Sequence, residues 1–171
     1  MRQAPRLPQH EVWRLLAEIE ATFGGVRLGD GISLHQARAL DDYEPEGVVA
    51  AARSFDAEER WQDITDDKLD RLSDTLAFMD AAGFRFHMPR FMVFSLTHAG
   101  RGSSSFAVDA PVYACNFRND LKDYVLSKYA LLSPEQRATI AQFLRFAAAH
   151  DDCFDGRVAA KALERYWGQY G

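Results

Sequence analysis

Side chains that could carry out chemistry are few and widely spaced in this chain of 171 residues. Cys115 and Cys153 are the two cysteines, and neither has sequence neighbours that would activate a thiol, so each is expected to behave as a small apolar side chain. The motifs of a nucleophile elbow, a Walker A loop, a dinucleotide-binding turn and a zinc protease are absent. The run GRGSSS at residues 100–105 lacks the Lys-Ser/Thr of a phosphate-binding loop and predicts a flexible surface loop. The sequence therefore argues against an enzyme and predicts no cofactor.

Two groups of histidine and carboxylate residues have the ligand types of a metal site. His150 is followed by three aspartates within residues 151–155, and His35 lies six and seven residues before Asp41 and Asp42. Oxygen-rich groups suit calcium or magnesium, but neither spacing matches the EF-hand loop. We interpret both groups as polar helix ends and predict no metal site.

Two basic side chains, Arg85 and His87, lie within the most apolar part of the chain, and His98 and Arg101 follow it. One interpretation is a pocket with aromatic walls and a polar floor that holds a small ligand or performs an unrecognised reaction. The other, which we favour, is structural. Arg85 then pairs with an acid such as Asp63, and His87 binds a backbone carbonyl.

Charge is distributed unevenly along the chain. Residues 1–85 carry 17 acidic and 10 basic residues, whereas residues 86–171 carry 8 acidic and 10 basic ones. Residues 41–80 alone hold 13 acidic and 4 basic residues, a net charge of −9. Phosphate contacts need a basic patch, so this balance argues against nucleic-acid binding.

An acidic tract of this kind can attract a basic partner protein, or it can serve only solubility. The carboxylates expected in loops or first helical turns, where side chains reach solvent, are Glu44, Glu46, Glu58, Glu59, Asp66 and Asp67. Glu58 and Glu59 are the foremost candidates because they are adjacent and have no evident structural task. We predict a domain that binds a basic protein through these residues.

Apolar residues at helical spacing predict several helices. Ser133, Pro134 and Gln136 form the pattern of a capping box, in which the serine and glutamine side chains satisfy free backbone amides at a helix start. Ser33 is a second cap, and Gly24 and Gly25 are expected to end the first helix in a left-handed conformation. The predicted helices cover residues 11–23, 34–42, 47–53, 120–132, 134–150 and 157–169.

The centre of the chain is predicted as a buried element that begins at Phe84 and ends at Leu96. A helical segment starts after Thr65, is broken near residues 73–74 and ends at Gly83. Alternation then predicts an extended piece over residues 84–88, and Pro89 suits the first turn of a helix. Residues 91–97 are apolar on nearly every side, which indicates a buried helix or a buried strand.

These patterns, with 47% hydrophobic and 26% charged residues, predict one compact domain of mainly α class over residues 1–171, in which residues 1–9 form a flexible arm. No apolar run reaches the length of a membrane span, and MRQAPRLPQH lacks the apolar core of a secretory signal. We expect no membrane contact and a cytoplasmic location.

The stretch GFRFHMPRFM at residues 83–92 resembles the signature G-F-R-F-x-[LM]-P-x-[FY]-M of a family of uncharacterised bacterial proteins. Residues 39–43, 61–64 and 132–136 are also similar to that family. The chain departs from the pattern at His87 and Arg90, where tyrosine and alanine are expected. The resemblance implies a fold and no reaction. Some small acidic bacterial families act as immunity proteins beside toxins, and by this analogy the acidic face would neutralise a basic toxin.

Overall fold

The longest helix, Ala81–His98, is the element around which the chain packs in this computed structural model, which describes residues 6–101 and 106–171. Within those residues every regular element is a helix and there is no strand, which confirms the prediction of a mainly α fold. Nine α-helices follow in order through the described residues: α1 Gln9–Phe23, α2 Leu34–Asp41, α3 Glu46–Ala52, α4 Asp66–Arg71, α5 Ala81–His98, α6 Ala110–Cys115, α7 Lys122–Lys128, α8 Pro134–Ala149 and α9 Gly156–Arg165. Short 3-10 turns include Trp61–Asp63, Thr75–Phe78 and Trp167–Gln169.

Several helices pack against α5. α1 contacts α5 and α8, and α8 in turn contacts α9. α6 and α7 also contact α5, while α2 packs against α3 and the turn Thr75–Phe78. Phe84, Phe91 and Met92 of α5 are fully buried, as are Phe143 of α8 and Trp167 after α9. One continuous apolar core therefore joins the N-terminal and C-terminal parts of the chain.

The prediction of an extended piece before Pro89 was wrong, because residues 81–98 form one helix. Burial on all sides explains the error: alternation identifies a strand when one face is polar, and Phe84, Phe86, His87 and Met88 are all buried here. Pro89 lies in the interior of α5 and is buried, so it does not mark a helix start. Within the predicted buried element, Val93 is half-buried rather than part of the core.

Gly83 does not end a helix, as predicted, but lies in the first turn of α5. The carboxylate of Asp80 caps this helix by accepting from the Gly83 amide at 2.8 Å. A Cβ atom at position 83 would lie 2.5 Å from the carbonyl oxygen of Ile32. The glycine therefore permits close approach of two backbones, and it is not a stop signal.

Several other predicted helix ends and loops differ from the structure. Gly24 is right-handed, with φ of −50°, so the expected left-handed end of α1 was wrong. The helix predicted over 120–132 is shorter, Lys122–Lys128. Of the predicted N-terminal arm, residues 1–5 lie outside the described part, whereas Leu7 is buried and Gln9 begins α1. The loop predicted at 100–105 lies mostly outside the described residues, since 102–105 are not among them.

The capping box at α8 is confirmed. The Gln136 amide donates to Ser133 Oγ at 3.1 Å, and Gln136 Oε1 accepts from the Ser133 amide at 3.0 Å. The Gln136 side chain also donates to the carbonyl of Thr22 at 3.0 Å, which joins α8 to α1. A pattern recognised from local sequence thus also carries a contact between two distant helices.

Ser133→Ala should lower the free energy of unfolding by about 0.5–2 kcal/mol, because it removes the acceptor for a free amide at the start of α8. Chemical denaturation measures this loss. Ser54→Ala, which removes an exposed hydroxyl that donates to the Ala51 carbonyl, is the control and should cost less than about 0.5 kcal/mol. Combining Ser133→Ala with Gln136→Ala should cost less than the sum of the single losses, and full additivity would contradict a reciprocal box.

Candidate functional site

Exposed acidic residues crowd the turn between α2 and α3, and we name residues 40–48 the acidic corner. Four carboxylates and no basic residue lie in this segment. Every residue from 42 to 48 is exposed. Glu44 and Glu46, two of the predicted partner-binding residues, belong to this surface. In the described part of the chain, neither takes part in an ion pair.

Three apolar side chains share the acidic corner with these carboxylates. Tyr43 is 95% exposed, Val48 is 47% exposed and Leu40 is 39% exposed. Tyr43 has a φ of 56°, in the left-handed region that non-glycine residues rarely adopt. The turn therefore holds an aromatic ring in solvent between acidic neighbours.

The other four predicted partner-binding residues lie in different surroundings. Glu58 was expected to have no structural task, but its carboxylate accepts from Lys68 Nζ at 2.6 Å. Glu59 is exposed, and its backbone carbonyl accepts from Arg27. Asp67 is exposed and pairs with Arg71 on the same helix at 2.6 Å. Asp66 binds Arg90 and His98. Of the two foremost candidates, Glu58 and Glu59, only Glu59 keeps an exposed carboxylate that could bind a partner in the described structure.

Asp56 lies at the centre of a set of contacts that also holds Glu58, because Lys68 binds both carboxylates. Its side chain is 6% exposed and accepts from the His35 amide at 2.7 Å, lies 2.7 Å from His35 Nδ1 and binds Lys68 Nζ at 3.2 Å. Burial alone would raise the pKa of Asp56, but its hydrogen bonds, those from His35 among them, lower the pKa. Asp56 and Glu58 are therefore partly buried, whereas Glu58 was expected to reach solvent. His35 is oriented by Asp56 rather than by Asp41 or Asp42.

A groove of about 600 Å³ lies along one side of α5. Its walls come from α1, from the turn Trp61–Asp63 and from the start of α4. The lining side chains include Leu16, Glu20, Trp61, Gln62, Asp66, Arg90, Val93, Thr97, His98 and Arg101. The groove thus contains His98 and Arg101, two of the four residues predicted for a pocket.

Asp66 ties the start of α4 to α5 at the edge of this groove. Its carboxylate binds Arg90 through one oxygen and lies 2.9 Å from His98 Nε2 through the other. Arg90 Nε also donates to the carbonyl of Ile64 at 2.9 Å, and the His98 ring stacks on Phe94 with centroids 4.2 Å apart. Burial alone would raise the pKa of Asp66, but the hydrogen bonds from Arg90 and His98 lower it. The charges of Asp66 and Arg90 therefore largely satisfy each other.

Arg85 and His87 lie elsewhere, so the four predicted pocket residues do not form one site. Arg85 Nη1 donates to the carbonyl of Leu131 at 3.4 Å, and in the described residues it does not pair with Asp63. His87 is buried with Nδ1 2.7 Å from the carbonyl of Gly83, which confirms the predicted backbone contact. Burial lowers the pKa of His87 to about 4, so the ring is neutral near pH 7 and Nδ1 is the donor to this carbonyl.

Comparison with known proteins identifies the family. A model described as a family of unknown function (DUF6714) matches residues 11–171. The chain belongs to this family. No curated protein and no solved structure matches the chain. Membership agrees with the expected resemblance to an uncharacterised family, whereas the sequence signature and the bacterial origin stay predictions.

Potential nucleophiles and metal ligands do not form a second site in the described residues. Cys115 is buried, and burial raises the pKa of its thiol, which makes it less reactive. Lys128 is also buried, with a pKa lowered to about 8 by burial, but its Nζ donates to the Ala77 carbonyl at 2.5 Å. Over the ranges 6–101 and 106–171, no three histidine, cysteine or acidic residues converge as metal ligands would. No helix there has the length and apolarity to cross a membrane.

Sequence reasoning missed the groove, because its walls are far apart along the chain. Leu16 and Glu20 lie on the predicted first helix, where nothing in the sequence marks them, and Arg90 departs from the family signature. The arginine at position 90 was the feature of the sequence that could have indicated the groove. An arginine inside an apolar stretch needs a partner, and Asp66 supplies it from 24 residues away.

Proposed function

We propose that the protein is a non-enzymatic binding domain that holds a basic partner protein on its acidic corner. The observation that carries the proposal is Tyr43, a side chain that is 95% exposed, in a left-handed turn among four carboxylates. Residues held in sparsely populated backbone regions cost about 1–3 kcal/mol and cluster at functional sites. An immunity protein that neutralises a basic toxin in the bacterial cytoplasm is the most concrete form of this proposal.

The composition of the acidic corner resembles a binding surface in two respects. Tyrosine is among the residues that most often dominate binding energy at interfaces, where it fills a pocket of the partner. Carboxylates around such an anchor attract a basic surface over a distance of about 8 Å at physiological ionic strength and raise the association rate. Leu40 and Val48 are the other exposed apolar side chains of the acidic corner and add to the apolar area that a partner can cover.

The first step of the test identifies the partner. A photoreactive phenylalanine analogue at position 43 should crosslink a basic protein in cells of the source organism. The same analogue at Trp13, an exposed aromatic position on α1, is the control and should not crosslink that protein. An acidic partner, or equal crosslinking from both positions, would contradict the proposal.

The second step measures association rates with the captured partner. Neutralising the acidic corner by Asp42→Asn, Glu44→Gln and Glu46→Gln should slow association about tenfold at low salt, and the effect should fade as salt rises. The matched control is Asp123→Asn, Glu135→Gln and Glu164→Gln, which changes net charge equally at exposed positions elsewhere. Equal slowing by both triples would show that net charge, and not this surface, attracts the partner.

Glu58 and Glu59 are the foremost candidates by sequence, but reversing their charges to lysine is a poor test in this structure. Lysine at position 58 would break the contact with Lys68 and place two ammonium groups together. A change in binding could then follow from altered structure around Asp56. Tyr43→Ser is a better variant than this reversal to measure beside the neutralised acidic corner. It should speed dissociation from the partner while the charge of the acidic corner stays the same.

A further inference from the structure

Helix α3 leaves most of its surface open to solvent. All of its residues lie in the described part of the chain, and among them Ala52 is buried and Val49 is half-buried. The remaining residues of the helix are exposed: Glu46, Gly47, Val48, Ala50 and Ala51. A surface helix of a globular protein normally turns its apolar residues toward the core. The apolar residues of α3 instead face mostly outward.

The exposed residues of α3 share one side of the helix. Successive residues are about 100° apart around the axis, so Gly47, Ala50 and Ala51 point away from the side that holds Val49 and Ala52. With the exposed apolar side chains beside them, these residues form a surface that we name the α3 face, which consists of Gly47, Val48, Ala50, Ala51 and Phe55.

The α3 face adjoins the acidic corner along the chain. Phe55 is 67% exposed and ends the 3-10 turn that directly follows α3, and Tyr43 lies three residues before the helix start at Glu46. Three residues span at most about 11 Å, so Tyr43 lies near one end of the α3 face and Phe55 lies at the other. The helix itself is about 10 Å long, a length that two turns of another helix would cover.

The small side chains of the α3 face suit a helix as the occupant. Packed helices approach to about 8–10 Å, and the side chains at the contact set the distance. Large apolar side chains of an approaching helix can fill the space above Gly47, Ala50 and Ala51, while Val48 and Phe55 border that space. The described residues contain no strand, so an extended segment would find no sheet edge there with which to pair.

Charge indicates the sign that such a helix should carry. Residues 40–55 hold four acidic residues and one basic residue, Arg53. The guanidinium of Arg53 donates to the carbonyls of Gly29 and Gly31, both at 2.7 Å, and so serves the fold. A second copy of this chain would bring the same carboxylates against these ones and be repelled, whereas lysine or arginine side chains would be attracted.

We propose that the α3 face and the acidic corner together hold one amphipathic α-helix of the basic partner. Its large apolar side chains lie against α3, and its lysine or arginine side chains lie toward the carboxylates of the acidic corner. Tyr43 and Phe55 supply aromatic contacts near the two ends. This inference rests on the proposed function, because it identifies the part of the basic partner that the acidic corner holds.

Two synthetic peptides of equal composition and charge test the proposal in calorimetric titrations of the full chain at low salt. The peptide LKKLLKLLKKLLKL has the apolar spacing of an amphipathic helix, and LKLKLKLKLKLKLL has the alternation of a strand. The first should bind saturably and at least about tenfold more tightly than the second. No saturable binding of the first peptide at about 1 mM would overturn the proposal.

Added bulk on the α3 face tests the place of binding. Ala50→Gln combined with Ala51→Gln leaves the charge unchanged, and glutamine is a good helix former, so the fold should persist by circular dichroism. Binding of the helical peptide should weaken about tenfold, because the two helices can no longer approach closely. The matched control, Ala21→Gln with Ala160→Gln, adds the same bulk at exposed positions of α1 and α9 and should leave affinity unchanged. Equal weakening by both pairs would overturn the proposal.

Neutralising the acidic corner separates this inference from the proposed function. Asp42→Asn, Glu44→Gln and Glu46→Gln together should weaken binding of both peptides at low salt. If they do so while the two peptides bind equally tightly, the acidic corner still attracts basic chains but a helix is not its occupant. Unchanged affinities for both peptides would contradict the proposed function and this inference with it. A dimer in sedimentation that Ala50→Gln with Ala51→Gln dissociates would assign the α3 face to a second copy instead.

Discussion

Phe91→Ala should lower the free energy of unfolding by about 3–5 kcal/mol. The side chain is fully buried in α5, the helix that contacts both the N-terminal and the C-terminal parts of the core. Truncation removes apolar contacts and leaves a cavity, and the surrounding helices cannot collapse into it without moving their own packed side chains. Urea denaturation monitored by circular dichroism measures the loss as a lower midpoint with an unchanged slope.

Val93→Ala is the matched control for this variant. Val93 lies two residues further along the same helix and faces the groove, so its truncation should cost less than about 1.5 kcal/mol. The contrast depends on α5 being helical through residue 93. Equal losses for the two variants, or a loss below about 1 kcal/mol for Phe91→Ala, would contradict the central position of this helix.

Lowering the pH from 7 to 5 should destabilise the protein by about 2 kcal/mol through His87 alone. Burial lowers the pKa of this histidine from 6.5 to about 4. The unfolded chain therefore takes up a proton below about pH 6.5, whereas the folded chain does so only near pH 4. Because the unfolded state binds more protons in this window, stability falls as the pH falls from 6.5 to 4. Each unit of pKa difference corresponds to about 1.4 kcal/mol.

His87→Phe tests this assignment by removing the titratable ring while it keeps a similar side-chain volume. Its stability should lose less than the original chain between pH 7 and 5, and the difference should equal the His87 contribution. His10→Gln, at an exposed position on α1, is the control and should keep the full loss. A protein whose unfolding midpoint is the same at both pH values would show that His87 is not buried in the neutral form.

Local patterns in the sequence predicted the fold where a few neighbouring residues determine the structure. Ser133 and Gln136 form a capping box because each satisfies the other's backbone amide, and this needs only four consecutive residues. The helix α1 was predicted from its apolar stripe because one side faces solvent. The same reasoning failed before Pro89, where both sides are buried and periodicity carries no information.

The candidate sites depend on pairings between distant residues, which periodicity does not report. Glu44 and Glu46 were expected at the surface and are exposed, the first in the turn before α3 and the second in the first turn of that helix. Glu58 and Asp66 were expected there too, but Lys68 and Arg90 bind them. No property of an isolated glutamate or aspartate distinguishes these outcomes. The distinction arises from which helix packs nearby.

Pro89 removes one hydrogen bond from the middle of α5, since a proline has no backbone amide to donate to the carbonyl four residues earlier. Before it lie Gly83 and Arg85, which fix the helix against the backbone near Ile32 and Leu131. After it lie the groove residues from Arg90 to His98. Substitutions in the groove therefore fall in the part of α5 that follows the missing hydrogen bond, away from the residues that fix the start of the helix. We therefore expect substitutions after Pro89 to change the groove with less effect on the contacts that Gly83 and Arg85 make at the start of α5.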